Sequence, residues 1–330
     1  MLRKLILFIL CLLLLTVGVM GYGYWWSQHP LQQASAPTEL TVQRGASVQS
    51  VARAVVDAGV DTNADLLHVW FRLAGHGQTL KAGFYELEPG ITPQGLLMKL
   101  VKGDQALQSV TFVEGWNFKQ VRAALDAQDL GHETAGKTDA EVMALLGRPG
   151  LHPEGRFFPD TYTFARHSSD LAVLRQALRS MDNMLEVAWS QRDTKTPLKS
   201  PEEALVLASI VEKETGRDSD RAEIAGVFVN RMRKGMLLQT DPTVIYGLGD
   251  DFDGRLRRRH LDTDTPWNTY TRSGLPPTPI AMPGRASLLA AVQPKETSAY
   301  YFVARGDGTS EFSGTLQEHN RAVNKYIRGR

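Results

Sequence analysis

Two glutamates lie two residues apart near the end of an apolar segment, LASIVEKETG (207–216). A carboxyl group can transfer protons in catalysis when its surroundings bring its pKa close to neutral pH. On a helix, Glu212 and Glu214 project about 200° apart, and therefore occupy nearly opposite faces. Glu214 shares its face with bulky apolar side chains, those of Leu207, Ile210 and Val211. Glu212 lies on a face of smaller and more polar residues.

Burial against the apolar stripe raises the pKa of a carboxyl group, and so does a position at the negative end of a helix dipole. We therefore predict that Glu214 is a carboxylic general acid and that Glu212 has a structural or supporting role. The same pattern is also typical of a solvated glutamate at a helix end with no chemical role, so both interpretations stand at this point.

The helix that carries these glutamates has clear boundary signals in the sequence. Ser200 precedes Pro201, and Glu203 follows three residues after the serine, which predicts an N-cap closed by a capping box. Gly216 is expected to end the helix. Residues 204–211 are apolar almost all round, which predicts a buried helix.

A second helix is predicted over residues 218–235, with Asp220 and Glu223 as its capping box and Gly235 as its stop. Segments rich in Gln, Thr, Asp, Asn, Tyr, Gly and Pro follow it, at 236–249, 268–284 and 300–320. This composition indicates ordered polar loops, which supply the hydrogen bonds that a polar ligand such as a sugar requires.

The first residues of the chain predict a membrane anchor. Arg3 and Lys4 precede an uncharged apolar stretch, 5–26, which is about long enough to cross a bilayer. Aromatic residues form a belt at its far end. The positive-inside rule then places residues 1–4 in the cytoplasm and the rest of the chain outside. A cleaved signal peptide is the alternative, and it too would export the remainder.

The composition excludes several classes of protein. Of the 330 residues, 42% are hydrophobic and 22% charged, which is typical of a globular chain. A net charge of +1 gives no indication of nucleic-acid binding. The single cysteine, Cys11, lies within the apolar span, so no intramolecular disulfide is expected. The histidines show no ligand spacing, and we predict neither a metal nor another cofactor.

The rest of the chain predicts an α+β fold in two parts, beyond a polar linker at 27–39. Residues 40–104 show the pattern of strand, two helices and strand, followed by a helix that Thr92 caps and Pro93 opens. This order resembles a LysM-like module, the small unit that binds glycans containing N-acetylglucosamine. A purely structural small domain is the alternative. Residues 108–330 are predicted to form a mixed α+β domain that contains the two glutamates.

Aromatic residues cluster in HPEGRFFPDTYTFARHS (152–168). They can pack in the core or form a platform on which a sugar ring stacks. The core interpretation is favoured. The basic segment RLRRRH (255–260) is typical of a solvated loop, and contact with the carboxylates of a ligand or with anionic lipid head groups is the alternative.

The order of five motifs resembles the YceG-like family of membrane-anchored endolytic peptidoglycan (murein) transglycosylases. The motifs are LASIVEKET, VFVNRM, LQTDPTVIYG, NTYTRSGLPPTPIAMPG and YYFVA…HN. The resemblance runs from the anchor to the C-terminus. It implies that Glu214, the second glutamate of EKET, is the catalytic acid. By their position in the motifs, Gln239, Asp241, Asn268 and Tyr270 are expected to contact the glycan or to support the site. Each of these four also fits a turn or packing role.

The resemblance implies a single-pass protein of the cell inner membrane with a periplasmic catalytic domain over 108–330. Its substrate would be nascent peptidoglycan, cut within the strand at the MurNAc-β-1,4-GlcNAc bond to leave 1,6-anhydro ends and so terminate glycan elongation. The implied partners are peptidoglycan strands, penicillin-binding proteins and elongation machinery, and no nucleic acid. A muramidase-type hydrolase, with Asp241 as the second carboxylate, is one alternative. A non-catalytic glycan-binding scaffold, with a structural Glu214, is the other.

Overall fold

The protein is described by a computed structural model that covers residues 2–32, 36–76, 79–166 and 168–329. Its contacts divide the chain into two units, residues 1–108 with 163–167 and residues 109–162 with 168–330. Both units combine helices with short strands, which confirms the predicted α+β class. Residues 33–35 of the predicted linker, and His167 of the aromatic segment, lie outside the described residues.

The N-terminal helix α1 runs from Leu2 to Ser27. Its segment Arg3–Ser27 is long and apolar enough to cross a membrane, and its apolar window is not buried against the rest of the protein. At a rise of 1.5 Å per residue, this segment is about 38 Å long, which exceeds the hydrocarbon core of a bilayer. The helix is therefore compatible with a single-pass membrane anchor.

The first unit has the predicted order of strand, two helices, strand and helix. Its strands β1 and β2 pair antiparallel with Leu40 opposite Tyr85, and both of these side chains are buried. Thr92 caps the helix that follows it, as expected, and Ser47 caps the helix that begins at Val48. The elements are β1 (Thr38–Val42), α2 (Val48–Asp57), α3 (Ala64–Leu73), β2 (Gly83–Leu87) and α4 (Pro93–Lys102).

The second unit is mainly helical. Strands β3 (Leu107–Thr111) and β4 (Thr161–Ala165) lie where the chain passes between the units. Its remaining strands are β5 (Tyr301–Ala304) and β6 (Ser310–Ser313). Its helices are α5 (Phe118–Asp126), α6 (Asp139–Leu145), α7 (Asp170–Ser190), α8 (Pro201–Glu214), α9 (Asp218–Lys234), α10 (Asp241–Leu248), α11 (Arg258–Asp262), α12 (Arg285–Val292) and α13 (Leu316–Tyr326).

Helix α8 lies in the core of the second unit. Every residue from 204 to 211 is buried, as the all-round apolar pattern predicts. Ser200 is its N-cap and accepts a hydrogen bond from the Glu203 N–H. The predicted capping box is wrong, because the Glu203 carboxylate accepts from the Lys199 N–H instead. The helix ends at Glu214, two residues before Gly216.

The predicted capping box of α9 is also wrong. The helix begins at Asp218, so Asp220 lies within its first turn. The Asp220 carboxylate accepts from the Ser310 N–H at 2.7 Å, and the carboxylate of Glu223 pairs with Lys295 at 2.6 Å. Both side chains that the sequence assigns to the cap are thus bonded to distant parts of the chain. Gly235 ends the helix in the left-handed conformation (φ 67°), as predicted.

The aromatic segment 152–168 packs inward. Phe157 and Tyr162 are buried, and the ring of Phe157 stacks on that of Phe118 at 5.0 Å between centroids. The ring of Tyr162 packs on that of Phe112. This arrangement confirms the core interpretation of these residues.

Candidate active site

The C-terminal end of α8 directs its two glutamates to different neighbours. Glu212 Oε2 accepts a hydrogen bond at 2.9 Å from the N–H of Gly284, the N-cap of α12. Glu214 Oε1 accepts one from the hydroxyl of Thr240, the N-cap of α10. The predicted placement on opposite faces is confirmed: Glu212 fastens the start of one helix, and Glu214 faces the start of another.

Glu214 opens into a cleft of about 380 Å³, called here the acid cleft. Its wall comes from α8, α9, α10, β5, α13 and the loops that precede α10 and follow α11. The lining side chains are those of Glu214, Phe228, Arg231, Leu238, Gln239, Asp241, Tyr270, Tyr301, Phe302, Leu316 and His319. A larger cavity of about 940 Å³ lies beside the start of α8, and none of the predicted site residues lines it.

The surroundings of Glu214 raise the pKa of its carboxyl group toward neutral pH. The side chain is only partly exposed at the cleft, and protein surrounds the carboxyl closely. Burial raises the pKa of Glu214 to about 7; the hydrogen bond from Thr240 acts against this rise and the negative charge of Asp241 adds to it. The direction of this shift is the one that the apolar stripe predicts. At neutral pH such a group is available both as an acid and as a base.

Asp241 and Tyr270 form a pair in the same cleft. The Tyr270 hydroxyl donates to Asp241 Oδ1 at 2.5 Å. Burial, followed by the hydrogen bond and charge of Asp241, raises the pKa of Tyr270. The phenol therefore stays protonated at neutral pH, and the pair presents a fixed hydroxyl beside an exposed carboxylate.

Gln239 lines the acid cleft in an unusual backbone conformation. Its φ of 51° is the only positive value among the described non-glycine residues. A residue with a Cβ atom adopts this region at a cost of about 1–3 kcal/mol, and such positions concentrate at functional sites. Contacts on both sides hold it: its N–H donates to the Thr269 carbonyl at 3.1 Å, and its side-chain oxygen lies 3.4 Å from Arg231 Nη1.

Arg231 is a buried residue in the wall of the cleft, and it hydrogen-bonds to neighbouring segments of the chain. It donates from Nε to the carbonyl of Tyr300 at 2.6 Å and from Nη1 to that of Leu238 at 2.9 Å. Its guanidinium lies 5.0 Å from the centroid of the Tyr301 ring. Burial lowers the pKa of Arg231. The side chain thereby joins α9 to the strained loop and to β5.

Asn268 does not line the cleft. The residue is fully buried, and its Nδ2 donates to three backbone carbonyls, those of His260, Leu261 and Thr263. Its Oδ1 accepts from the Tyr270 N–H at 2.8 Å. Direct contact with a ligand, the first of its two predicted roles, does not fit this burial. Asn268 instead holds the loop that presents Tyr270.

Sequence reasoning did not single out three residues of this site: Thr240, Arg231 and His319. Thr240 and Arg231 lie inside quoted motifs, LQTDPTVIYG and VFVNRM, but nothing local in either motif indicates a contact with a distant residue. His319 belongs to the final motif and lines the acid cleft. Its ring stacks on Tyr301, with 5.2 Å between centroids and 24° between planes.

The other sequence predictions concern charged groups away from the cleft. In the basic segment, Arg257 pairs with Asp253 at 2.6 Å and Arg258 with Asp262 at 3.1 Å, as in a solvated loop. Across the described residues, no group of three or more His, Cys, Asp or Glu side chains is placed to hold a metal ion.

Comparison with known proteins identifies a family and several relatives. A family model described as the YceG-like family matches residues 40–325. The chain is 31% identical over 317 residues to the endolytic murein transglycosylase of Bacillus subtilis (strain 168), covering 90% of this chain and 87% of that protein. It is 25% identical to the endolytic murein transglycosylase of Streptococcus pneumoniae (strain R6), covering 97% of this chain and 64% of that protein.

A solved structure also resembles this chain. The crystal structure of a yceG-like protein from Listeria monocytogenes aligns with a TM-score of 0.54 at 28% sequence identity. The alignment covers 87% of this chain and 99% of the Listeria chain.

Proposed function

The chain belongs to the YceG-like family, and we propose that it is a lytic transglycosylase that cuts peptidoglycan strands endolytically. The names of the Bacillus and pneumococcal relatives state this activity for those proteins. The observation that carries the proposal here is the carboxyl of Glu214, with its pKa raised to about 7, in a cleft lined by aromatic and hydrogen-bonding side chains.

The reaction starts with Glu214 as a general acid. Its carboxyl proton goes to the glycosidic oxygen of the MurNAc-β-1,4-GlcNAc bond as the bond from that oxygen to C1 breaks. The electron pair stays with the leaving GlcNAc oxygen, and positive charge develops at C1 of MurNAc. The carboxylate of Asp241, in the same cleft, contributes negative charge near this centre.

Glu214 then acts as a base. Its carboxylate takes the proton of the MurNAc C6 hydroxyl, whose oxygen bonds to C1 and closes a 1,6-anhydro ring. The proton gained equals the proton lost, so the enzyme returns to its starting state and no water is consumed. Because the nucleophile belongs to the substrate, its effective concentration is high and one carboxyl group can serve both steps.

The other predicted site residues have supporting roles in this proposal. Gln239, Asp241 and Tyr270 contact the glycan from the wall of the cleft. Asn268 acts through the backbone of Tyr270, and Glu212 holds the start of α12 by a hydrogen bond from the Gly284 N–H.

The proposal extends to the setting of the enzyme. Helix α1 would anchor it in the cell inner membrane with the N-terminus in the cytoplasm and the catalytic domain, 108–330, in the periplasm. Cleavage there would terminate elongation of nascent strands beside penicillin-binding proteins and elongation machinery. We further propose that residues 40–104 form a LysM-like glycan-binding module, which the β-α-α-β order supports.

Two alternatives follow from the same cleft. A muramidase-type hydrolase would use Asp241 as its second carboxylate, and this residue does line the cleft with Glu214. A non-catalytic scaffold would bind strands in the cleft without cutting them.

The test is mass spectrometry of the products that the full-length protein, in detergent, releases from glycan strands. Wild type is compared with Glu214→Gln, which keeps the shape of the side chain but cannot transfer the proton. Glu186→Gln, an exposed change on α7, is the matched control. We expect 1,6-anhydro ends from wild type and the control, and none from Glu214→Gln.

The alternatives predict different products. Reducing ends that carry one additional water would identify a hydrolase. Binding of strands by wild type and Glu214→Gln alike, with cleavage by neither, would identify a scaffold.

A further inference from the structure

The C-terminal helix α13 contributes one imidazole to the acid cleft, that of His319. The Tyr301 ring, stacked on it at 5.2 Å, fixes the plane of the imidazole. Nδ1 of His319 is enclosed by protein, and no described residue hydrogen-bonds to it. The ring is therefore held in position in the cleft, while its hydrogen-bonding capacity is left unused.

The surroundings of the ring determine its charge and its tautomer. Burial, followed by the positive charge of Arg231, lowers the pKa of His319, so the imidazole is neutral at neutral pH. A neutral imidazole carries one N–H and one lone pair. A buried N–H without an acceptor is rarer in proteins than a buried acceptor without a donor. The enclosed Nδ1 therefore keeps the lone pair, and the proton lies on Nε2.

We propose that the Nε2–H of His319 donates a hydrogen bond to the carbonyl oxygen of an acetamido group on the bound glycan, and so selects N-acetylated sugars. This inference rests on the proposed function, in which the cleft holds a MurNAc–GlcNAc strand. Every sugar of such a strand carries an acetamido carbonyl, and an amide carbonyl is an uncharged acceptor well matched to an uncharged donor. The stacking on Tyr301 orders the ring before binding, which reduces the entropy lost when the bond forms.

The neutral state also separates the role of His319 from that of Glu214. A neutral His319 does not compete with Glu214 as an acid, because its remaining proton is not acidic near neutral pH. His319 is thus a binding residue for the substrate, and the proton transfers stay with Glu214.

The proposal is tested by binding in the Glu214→Gln protein, full length in detergent, because this background prevents turnover. The probes are two uncharged β-1,4-linked tetramers, one of N-acetylglucosamine and one of glucose, which differ in the acetamido groups. His319→Gln places an amide N–H close to the position of Nε2, whereas His319→Asn places one close to the position of Nδ1. The two variants therefore differ in whether a donor reaches the cleft.

We expect His319→Asn to weaken binding of the N-acetylglucosamine tetramer about tenfold, the effect of one lost hydrogen bond, and to leave binding of the glucose tetramer unchanged. His319→Gln should retain the affinity of the parent for the acetylated probe. An equal loss for both probes in His319→Asn, or an equal loss in the Gln and Asn variants, would overturn the role of Nε2.

Thermal unfolding of each variant identifies a change that merely disturbs α13. If His319→Asn does not fold, the parent protein and His319→Gln still test the proposal. Equal affinity for the two tetramers in both of these proteins would overturn it.

This proposal and the catalytic one can fail separately. In one outcome, wild type releases 1,6-anhydro ends while His319→Asn weakens binding of both tetramers equally. That result would overturn only the role of His319. Acetamido-dependent binding through His319 in a protein that releases no 1,6-anhydro ends would remove only the transglycosylase.

Discussion

Replacement of Thr240 by valine tests whether the titration of Glu214 controls the reaction. The two side chains have nearly the same shape, but valine lacks the hydroxyl that donates to Glu214 Oε1. Thr240 is the N-cap residue of α10, yet its side chain makes no capping hydrogen bond. The substitution should therefore remove one contact of the reacting carboxyl and leave the start of α10 in place.

The size of the effect follows from the hydrogen bond. The hydroxyl stabilises the carboxylate more than the carboxylic acid, which is why it acts against the rise in the pKa of Glu214. A difference of about 1.4 kcal/mol between the two states, typical of a bond to a charged group, corresponds to one pKa unit. Loss of the hydroxyl should therefore raise the pKa of Glu214 from about 7 to about 8.

The sign of the change in activity follows from the proposed role of Glu214 as an acid. The free enzyme must be protonated to start the reaction, so kcat/KM falls as the pH rises through the pKa. In Thr240→Val, this alkaline fall should move to higher pH by about one unit. The assay is release of 1,6-anhydro ends measured between about pH 5 and pH 9.

Thr240→Ser is the matched control, because it keeps the hydroxyl and should keep the wild-type midpoint. An unchanged midpoint in Thr240→Val, or one that moves to lower pH, would show that the alkaline fall does not report the ionisation of Glu214, and the assignment of the acid would be refuted.

Two further predictions concern stability and the loop that carries Tyr270. Burial raises the pKa of Glu154, a 3% exposed carboxyl, from 4.5 to about 7. Its contribution to stability is complete below pH 4.5 and is lost as the pH rises to about 7, in total about 3 kcal/mol. Glu154→Gln should therefore lose less stability than wild type between pH 5 and pH 8 in urea unfolding, and equal losses would contradict this. Asn268→Ala should lower the free energy of unfolding by about 2–4 kcal/mol, because it leaves the Tyr270 N–H and three carbonyls without a partner. Weaker glycan binding at unchanged stability would instead mean that Asn268 touches the glycan.

The parts of the structure that the sequence predicts well depend on neighbours within a few residues. The apolar run of 204–211 predicts a buried α8, and Ser200 predicts its N-cap. The spacing of Glu212 and Glu214 places them on opposite faces by helix geometry alone. The apolar stripe beside Glu214 then predicts the burial that raises its pKa. Each of these inferences needs only the helix period and the cap rules.

The parts that it predicts poorly depend on partners far along the chain. Asp220 and Glu223 have the spacing of a capping box, yet Ser310 and Lys295 bind them in the folded protein. A charge-assisted bond to a partly buried backbone N–H is worth at least as much as an exposed helix cap, so the distant partner prevails. Nothing within one turn of Asp220 indicates that partner.

Gln239 shows that local rules also fail within the acid cleft. Glycine or asparagine is expected where φ is positive, and a glutamine in the sequence does not indicate this backbone conformation. The conformation persists because tertiary contacts over-determine it, the Thr269 carbonyl on one side and the buried Arg231 on the other. Local rules describe the chain where each residue adopts its own preferred state, and they fail where several distant elements force one residue out of that state. A cleft built from α8, α9, α10, β5 and α13 is such a place. The disagreement between local preference and observed backbone at Gln239 therefore supports the proposal that the acid cleft is the catalytic site.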